Sequence, residues 1–198
     1  MTRVQKIRYA VWAAAAVVLL IAAVVFWTTS RETPRADAVT VGGPFTLVSE
    51  TGEEVTEAAL RGHPSLIFFG FTHCPDVCPT ALGRASAWLD ELGPAAEDLE
   101  VYFVTVDPAR DTQEVIATYL TSFHPDIVGL TGPVDAVHAM LDSFFVTYEE
   151  VPLDGGGYLM NHTTSFYVLD DNAEFIGTIG TMEGNDEALA TIRSAIAG

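Results

Sequence analysis

The chain has 198 residues, 27 of them acidic and nine basic, giving a formal net charge of −18 at neutral pH. All the acidic residues and six of the basic ones follow an apolar stretch near the N-terminus, so the remainder is strongly negative. That balance excludes nucleic acid as a natural partner and suits a protein that presents a basic patch.

Arg3, Lys6 and Arg8 precede an uncharged run from Tyr9 to Trp27 that is about the length of a bilayer core at roughly 1.5 Å per residue. The run exceeds the roughly 7–15 residues of a signal-peptide core, and no small-residue cleavage motif follows it. It reads as an uncleaved transmembrane anchor over residues 9–28. Basic residues on its N-terminal side place residues 1–8 in the cytoplasm and everything after the anchor outside it. Residues 29–43 carry Pro, Gly and charges without apolar periodicity, as a linker does, and residues 44–198 form the domain.

Within that domain, "PFTLVSETGEEVT" predicts a strand, a Gly turn and a second strand, and "SLIFFGF" a short buried strand. "TALGRASAWLDEL" has helical spacing and stops at Gly93-Pro94. "EVYFVTVD" predicts a buried strand, followed by a helix over "DTQEVIATYLTSF" with Asp111 as its N-cap, and "DIVGLTG" predicts a short strand. "PVDAVHAMLDSFF" is a third helix with Pro133 in its first turn. Three consecutive glycines, Gly155 to Gly157, make "VPLDGGGYLMNH" a mobile loop. "TSFYVLDDNAEFIGTIG" is a hairpin turning at Asp171-Asn172, and a last helix runs behind Asn185. This alternation predicts an α/β domain whose central sheet is covered on both faces.

The only two cysteines, Cys74 and Cys78, fall in "FFGFTHCPDVCPT", between the buried strand and the start of the next helix near Pro79. A helix N-terminus offers unpaired N–H groups and a partial positive charge, both of which favour thiolate. Positions i and i+4 share one face if the segment coils, so the two sulfurs can aim at one point. Three readings compete for this pair: a structural disulfide, a redox couple, or two ligands of a soft metal. The first is poor use of the site, because so short a loop removes little chain entropy when closed.

Thiolates select soft ions such as Cu(I), and an imidazole completes a three-coordinate site without adding charge. Of five histidines, His73 adjoins Cys74 and points away from a centre that Cys74 faces, His63 lies in a turn, His124 precedes Pro125 and His138 lies in a helix. His162 opens "NHTTSFYVLD" at the expected start of a core strand, where strand ends and helix N-termini gather in an α/β sheet. Met160 and Met182 are further soft donors, although a Met beside a strand more often fills a gap in the core. Asp76, between the cysteines, lies on the exposed loop.

"FFGFTHCPDVCPT", "TVDPARDT" and "NHTTSFYVLDDNAEFIG", in this order and spacing, resemble the Sco/SenC family of copper chaperones for cytochrome c oxidase assembly. The resemblance runs from about Gly43 to the C-terminus and includes the single N-terminal anchor. It implies a thioredoxin-like fold, a central mixed sheet flanked by helices, with copper held by Cys74, Cys78 and His162 as Cu(I), Cu(II) being left open. It further implies an anchored protein of the cytoplasmic membrane whose domain lies in the periplasm or its equivalent. The implied client is the copper-A domain of oxidase subunit II. A copper-donating periplasmic protein and a thioredoxin-type reductant of the Cys74–Cys78 pair complete the implied partners. A thiol-disulfide oxidoreductase acting on protein cysteines or peroxide is the alternative, and needs only the redox-active pair. Asp107, Arg110 and Asp111 match the second motif and read as a strand end, an ion pair and a helix cap. The residue before the ligand histidine, commonly Asp in the family, is Asn161; an amide can orient an imidazole but cannot raise its basicity by charge.

Overall fold

The computed structural model describes residues 41–198 and, ahead of them, Arg3, Gln5, Trp12, Ala15 and residues 17–20, which are helical. The chain divides into two compact units, Met1–Val39 and Thr40–Gly198. The expected N-terminal segment 1–8, anchor 9–28 and linker 29–43 lie mostly outside the described residues. Among those described, no helix is long and apolar enough to cross a membrane.

Unbroken runs of apolar residues make the middle of the sheet. β3 (Ser65–Gly70) and β4 (Glu100–Thr105) pair in parallel, and every residue of β3 is buried. A strand buried along its whole length is covered on both faces, which is why "SLIFFG" shows no alternation. β5 (Ile127–Thr131) continues the parallel set beyond β4. β1 (Thr46–Ser49) and β2 (Glu54–Thr56) form a hairpin that adds antiparallel to β5. On the other side, β8 (Ser165–Leu169) runs antiparallel to β3 and is followed by β9 (Phe175–Gly180). Among the described residues the resulting seven-stranded mixed sheet has the order β2-β1-β5-β4-β3-β8-β9.

Helices cover the sheet through apolar stripes. α1 (Val77–Leu92) buries Ala81, Leu82, Ala85, Trp88, Leu89 and Leu92, a stripe at helical spacing. Its Trp88 ring packs edge-on against Phe166 of β8 at 5.2 Å, while Trp88 Nε1–H donates to Asn185 Oδ1 at 2.7 Å. α2 (Gln113–Leu120) lies so close over β5 that a Cβ on Gly129 would stand 2.3 Å from Ile116 Cγ2, so only glycine fits there. α3 (Val134–Ser143) and α4 (Asn185–Ala197) complete the layers.

Four expectations about local structure change. α1 begins at Val77 rather than near Pro79, so Cys78 lies inside the first turn; Pro79 is tolerated because the first N–H groups of a helix have no intrahelical partner. The cap of α2 is Thr112, whose hydroxyl accepts from Val115 N–H at 3.4 Å, and Asp111 faces the interior instead. Asn185 is the first residue of α4, not its cap, and its side chain is taken by Trp88. The expected glycine loop is an antiparallel two-stranded ladder of its own, β6 (Tyr148–Pro152) and β7 (Tyr158–His162), closed by a turn through the three glycines. His162 therefore ends this hairpin rather than opening core strand β8. Ahead of the domain's expected boundary, Gly42 N–H already donates to Ser143 O at 2.8 Å.

Candidate metal centre

Topology brings three separate motifs to one edge of the sheet. Because β3 and β4 are parallel neighbours, the loops leaving their C-terminal ends lie side by side, and Val106 N–H donates to Gly70 O at 2.7 Å. Because β8 is antiparallel to β3, with Phe166 opposite Phe68, the residues entering β8 reach the same edge. The cysteine loop, the "DPARD" turn and His162 therefore meet, although 84 residues separate Cys78 from His162.

Cys78 is wholly buried, and Cys74 is half-buried. Cys78 N–H donates to Cys74 Sγ at 3.4 Å, one of the free N–H groups expected at a helix start. Gly70 makes room for the Cys78 sulfur: a Cβ there would stand 3.0 Å from Cys78 Sγ and 2.9 Å from Phe103 Cε2. Burial pushes the Cys78 thiol far above the ordinary thiol range; the Phe71 backbone N–H opposes this, while Cys74 and Asp111 add to it.

His162 is fixed by its other nitrogen. Nδ1–H donates to the Thr163 carbonyl at 2.7 Å, which leaves the Nε2 lone pair pointing 3.7 Å from Cys78 Sγ. Phe68 and Phe71 stand edge-on to the ring, with centroids 6.4 and 5.6 Å away. Burial lowers the imidazole pKa against the opposing pull of the Thr163 carbonyl, so the ring is held neutral, the form that ligates. A backbone carbonyl, and not the exposed Asn161, orients the imidazole.

The second motif holds both sides of the site. Asp111 is fully buried and accepts from Thr72 N–H at 2.9 Å, Thr72 Oγ1 at 2.6 Å and Thr105 Oγ1 at 2.8 Å, tying the cysteine loop to β4. Arg110 pairs with Asp107, donates to the Tyr158 carbonyl at 2.9 Å and lies 3.6 Å over the Tyr158 ring. Tyr158 Oη–H donates to Asp107 Oδ1 at 2.9 Å. Thr72 and Tyr158 escape sequence reasoning because nothing local marks them; their partners are 39 and 51 residues away.

Of the remaining histidines, His63 is exposed. His73 is mostly exposed and bonds Thr72 Oγ1 at 3.1 Å, His124 sits between Asp90 and Asp126, and His138 stacks on Tyr148 at 4.7 Å. Met160 is buried in the core and Met182 is almost fully exposed. Among the described residues, no three His, Cys, Asp or Glu side chains stand already gathered at coordinating distance. The donor set still fits a soft ion: Sγ and Nε2 at 3.7 Å are about as far apart as two ligands at roughly 2.3 and 2.0 Å around one trigonal centre.

A sequence model of the SCO1/SenC family matches residues 33–197. The chain belongs to this family. It is 39% identical over 163 residues to the mitochondrial protein SCO2 of Saccharomyces cerevisiae, covering 80% of this chain and 54% of that protein. The chain thus spans about half the length of that curated relative. Bradyrhizobium japonicum ScoI, solved with copper bound, is 39% identical with a TM-score of 0.74, over 78% of this chain and 99% of that one. Yeast Sco1 with copper bound is 36% identical at the same TM-score, 0.74, over 80% of this chain and 90% of that one. The mixed sheet and its flanking helices are thus the thioredoxin-like fold of the Sco proteins.

Proposed function

We propose that this chain is a copper metallochaperone that holds Cu(I) through Cys74, Cys78 and His162 and delivers it during assembly of the copper-A centre of cytochrome c oxidase. The observation that carries the reading is the His162 imidazole, locked through Nδ1 by the Thr163 carbonyl, whose Nε2 faces the Cys78 sulfur at 3.7 Å. A buried thiol disfavours a bare negative charge, and a bound cation supplies the compensation that solvent cannot. Copper-bound structures of Sco relatives support the choice of metal. The acidic surface suits a client domain with a basic docking patch. The apolar run at residues 9–28 is assigned as the anchor that keeps the domain at the outer face of the cytoplasmic membrane, beside a membrane-bound client.

The test is a Cu(I) competition titration of the reduced full-length chain against a chromophoric chelator. One equivalent bound, lost in Cys74→Ser and in Cys78→Ser and weakened in His162→Ala, is the expected result; wild-type affinity in either cysteine variant overturns the ligand set.

A second reading, thiol reductase, rests on the unequal burial of the pair. Half-buried Cys74 is open to a partner disulfide while buried Cys78 waits behind it to resolve the mixed disulfide. Both readings require free thiols. A Cys74–Cys78 disulfide that excludes Cu(I) is expected on oxidation, and copper bound with that disulfide intact would refute both its role and the need for a reductant.

A further inference from the structure

The pairing of β8 with β3 brings the His162 end of the β6–β7 hairpin to the sheet edge, but the hairpin forms a two-stranded sheet of its own among the described residues, so no ladder to the core holds the rest of β7. Other contacts must. At the His162 end, Thr163 N–H donates to Thr147 O at 3.0 Å, joining the two strands of the hairpin, while Tyr148 of β6 packs on His138 and the His162 ring meets Phe68 and Phe71 edge-on, contacts that carry no hydrogen bond to β7. Met160 turns into the core from the middle of β7. At the other end of β7 stands Tyr158, and there the "DPARD" turn takes hold through three separate interactions: Arg110 to the Tyr158 carbonyl, Arg110 over the Tyr158 ring, and the Tyr158 hydroxyl to Asp107.

The grip is directional and rigid. Arg110 uses one face of its guanidinium on the ring, one N–H on the β7 backbone and its Nε–H on Asp107, so it fixes both the height and the rotation of the strand start. Asp107 is itself buried and held by its own N–H on Thr105 Oγ1 at 2.9 Å. The anchor is therefore seated on a buried carboxylate, with Arg110 and Tyr158 partly buried over it, rather than being a solvated surface pair, and surface pairs contribute little. The same turn uses a different carboxylate, Asp111, to hold Thr72 on the cysteine loop. The two halves of the site are thus referenced to one short turn by two sets of side-chain bonds, made through different carboxylates, that meet at the Thr105 hydroxyl.

We propose that Asp107, Arg110 and Tyr158 form a positioning latch for His162, docking β7 on the turn after β4 and thereby setting the imidazole's place relative to the sulfurs without acting on the cysteine pair. The proposal rests on the copper reading, in which His162 is a ligand. It assigns to Tyr158 a role that no ligand motif contains. It also separates two properties: loosening the latch weakens the imidazole's share of copper binding and leaves the dithiol–disulfide equilibrium unchanged.

The experiment is a double-mutant cycle on the full-length reduced chain, read by Cu(I) competition titration, with the Cys74–Cys78 equilibrium in glutathione buffers as the second readout. Tyr158→Phe removes only the hydroxyl and is expected to weaken Cu(I) binding roughly three- to tenfold, the reach of one hydrogen bond. Tyr158→Ala should weaken it further, to no worse than His162→Ala. In the His162→Ala background, Tyr158→Ala should add nothing, because its effect passes through the missing ring. Glutathione equilibria should match wild type in both Tyr158 variants, a pattern that general destabilisation of the fold would not produce.

Wild-type affinity in both Tyr158 variants, an additive loss in the double variant, or a shifted glutathione equilibrium overturns the latch while leaving copper binding in place. A wild-type chain that binds no Cu(I), or His162→Ala with undiminished affinity, overturns the copper reading and the latch with it.

Discussion

Gly70→Ala tests whether the end of β3 is shaped around the Cys78 sulfur. The new methyl would stand 2.9 Å from Phe103 Cε2 and 3.0 Å from both Cys78 Sγ and Phe68 Cε1. Ordinary contacts between such atoms lie at about 3.5–4.0 Å, so all three overlap. Phe68, Phe103 and Cys78 are each wholly buried, which leaves no open side into which a neighbour can retreat. Overpacking of this kind costs about 1–3 kcal/mol, or roughly 2–12 °C in Tm for a domain of this size. If about 1.4 kcal/mol of that strain is relieved by pushing the sulfur from its place, Cu(I) affinity falls about tenfold. Thermal unfolding followed by circular dichroism and the same competition titration give the two numbers. Gly83, in the middle of α1 with nothing within 4 Å of its would-be Cβ, is the control. Gly83→Ala should stabilise by about 0.5–1 kcal/mol through helix propensity and leave affinity unchanged. A Gly70→Ala protein with wild-type Tm and wild-type Cu(I) affinity would refute the account of the sulfur's seat.

Asp111→Asn should cost about 1–3 kcal/mol, because an amide cannot accept all three bonds from Thr72 and Thr105; the check is the denaturant midpoint at unchanged slope, and a change below ~0.5 kcal/mol would sink it. Cu(I) affinity should rise about tenfold per pH unit between about pH 6.5 and 8.5 from the Cys78 proton alone, since that thiol is held protonated and must release its proton to bind; a flat profile is the contrary result. Stability of the metal-free chain carries the matching signs. Cys78, whose pKa is raised on folding, costs stability as pH rises through the unfolded thiol value near 8.5, and His162, whose pKa is lowered, costs stability as pH falls below about 6.5. Phe145 ends α3 in the left-handed conformation, at φ 55, with Val146 N–H bonded to Leu141 O at 2.9 Å, and its ring is 60% exposed. Phe145→Gly should therefore stabilise by about 0.5–1 kcal/mol, and a lower Tm would show that the exposed ring stabilises more than its backbone costs.

Local chemistry reached far in this chain. The buried run of β3, the apolar stripe of α1 and the hairpin around Asp171-Asn172 follow from residue periods that any tertiary context must respect, because a face left apolar has to be covered. That Cys74 and Cys78 stand close at the start of α1 likewise follows from their spacing, while a soft ion is one of three readings that donor chemistry allows, and the family resemblance favours it. Other features were out of reach. Asp111 has the composition of a helix cap, and Thr112 beside it caps equally well; only the parallel pairing of β3 with β4, which sets Thr72 against that carboxylate, decides between them. The segment around Gly155–Gly157 shows flexible residues and no strand alternation strong enough to outweigh them, yet Tyr148 to Pro152 and Tyr158 to His162 form a ladder because Arg110, Asp107 and the core receive Tyr158 and Met160. Sequence determined which atoms can bind a metal, since that is a property of the side chains themselves. Tertiary structure decided which nitrogen of His162 is free, how deeply Cys78 is buried and what holds the hairpin in place, because each depends on a partner brought close only by folding.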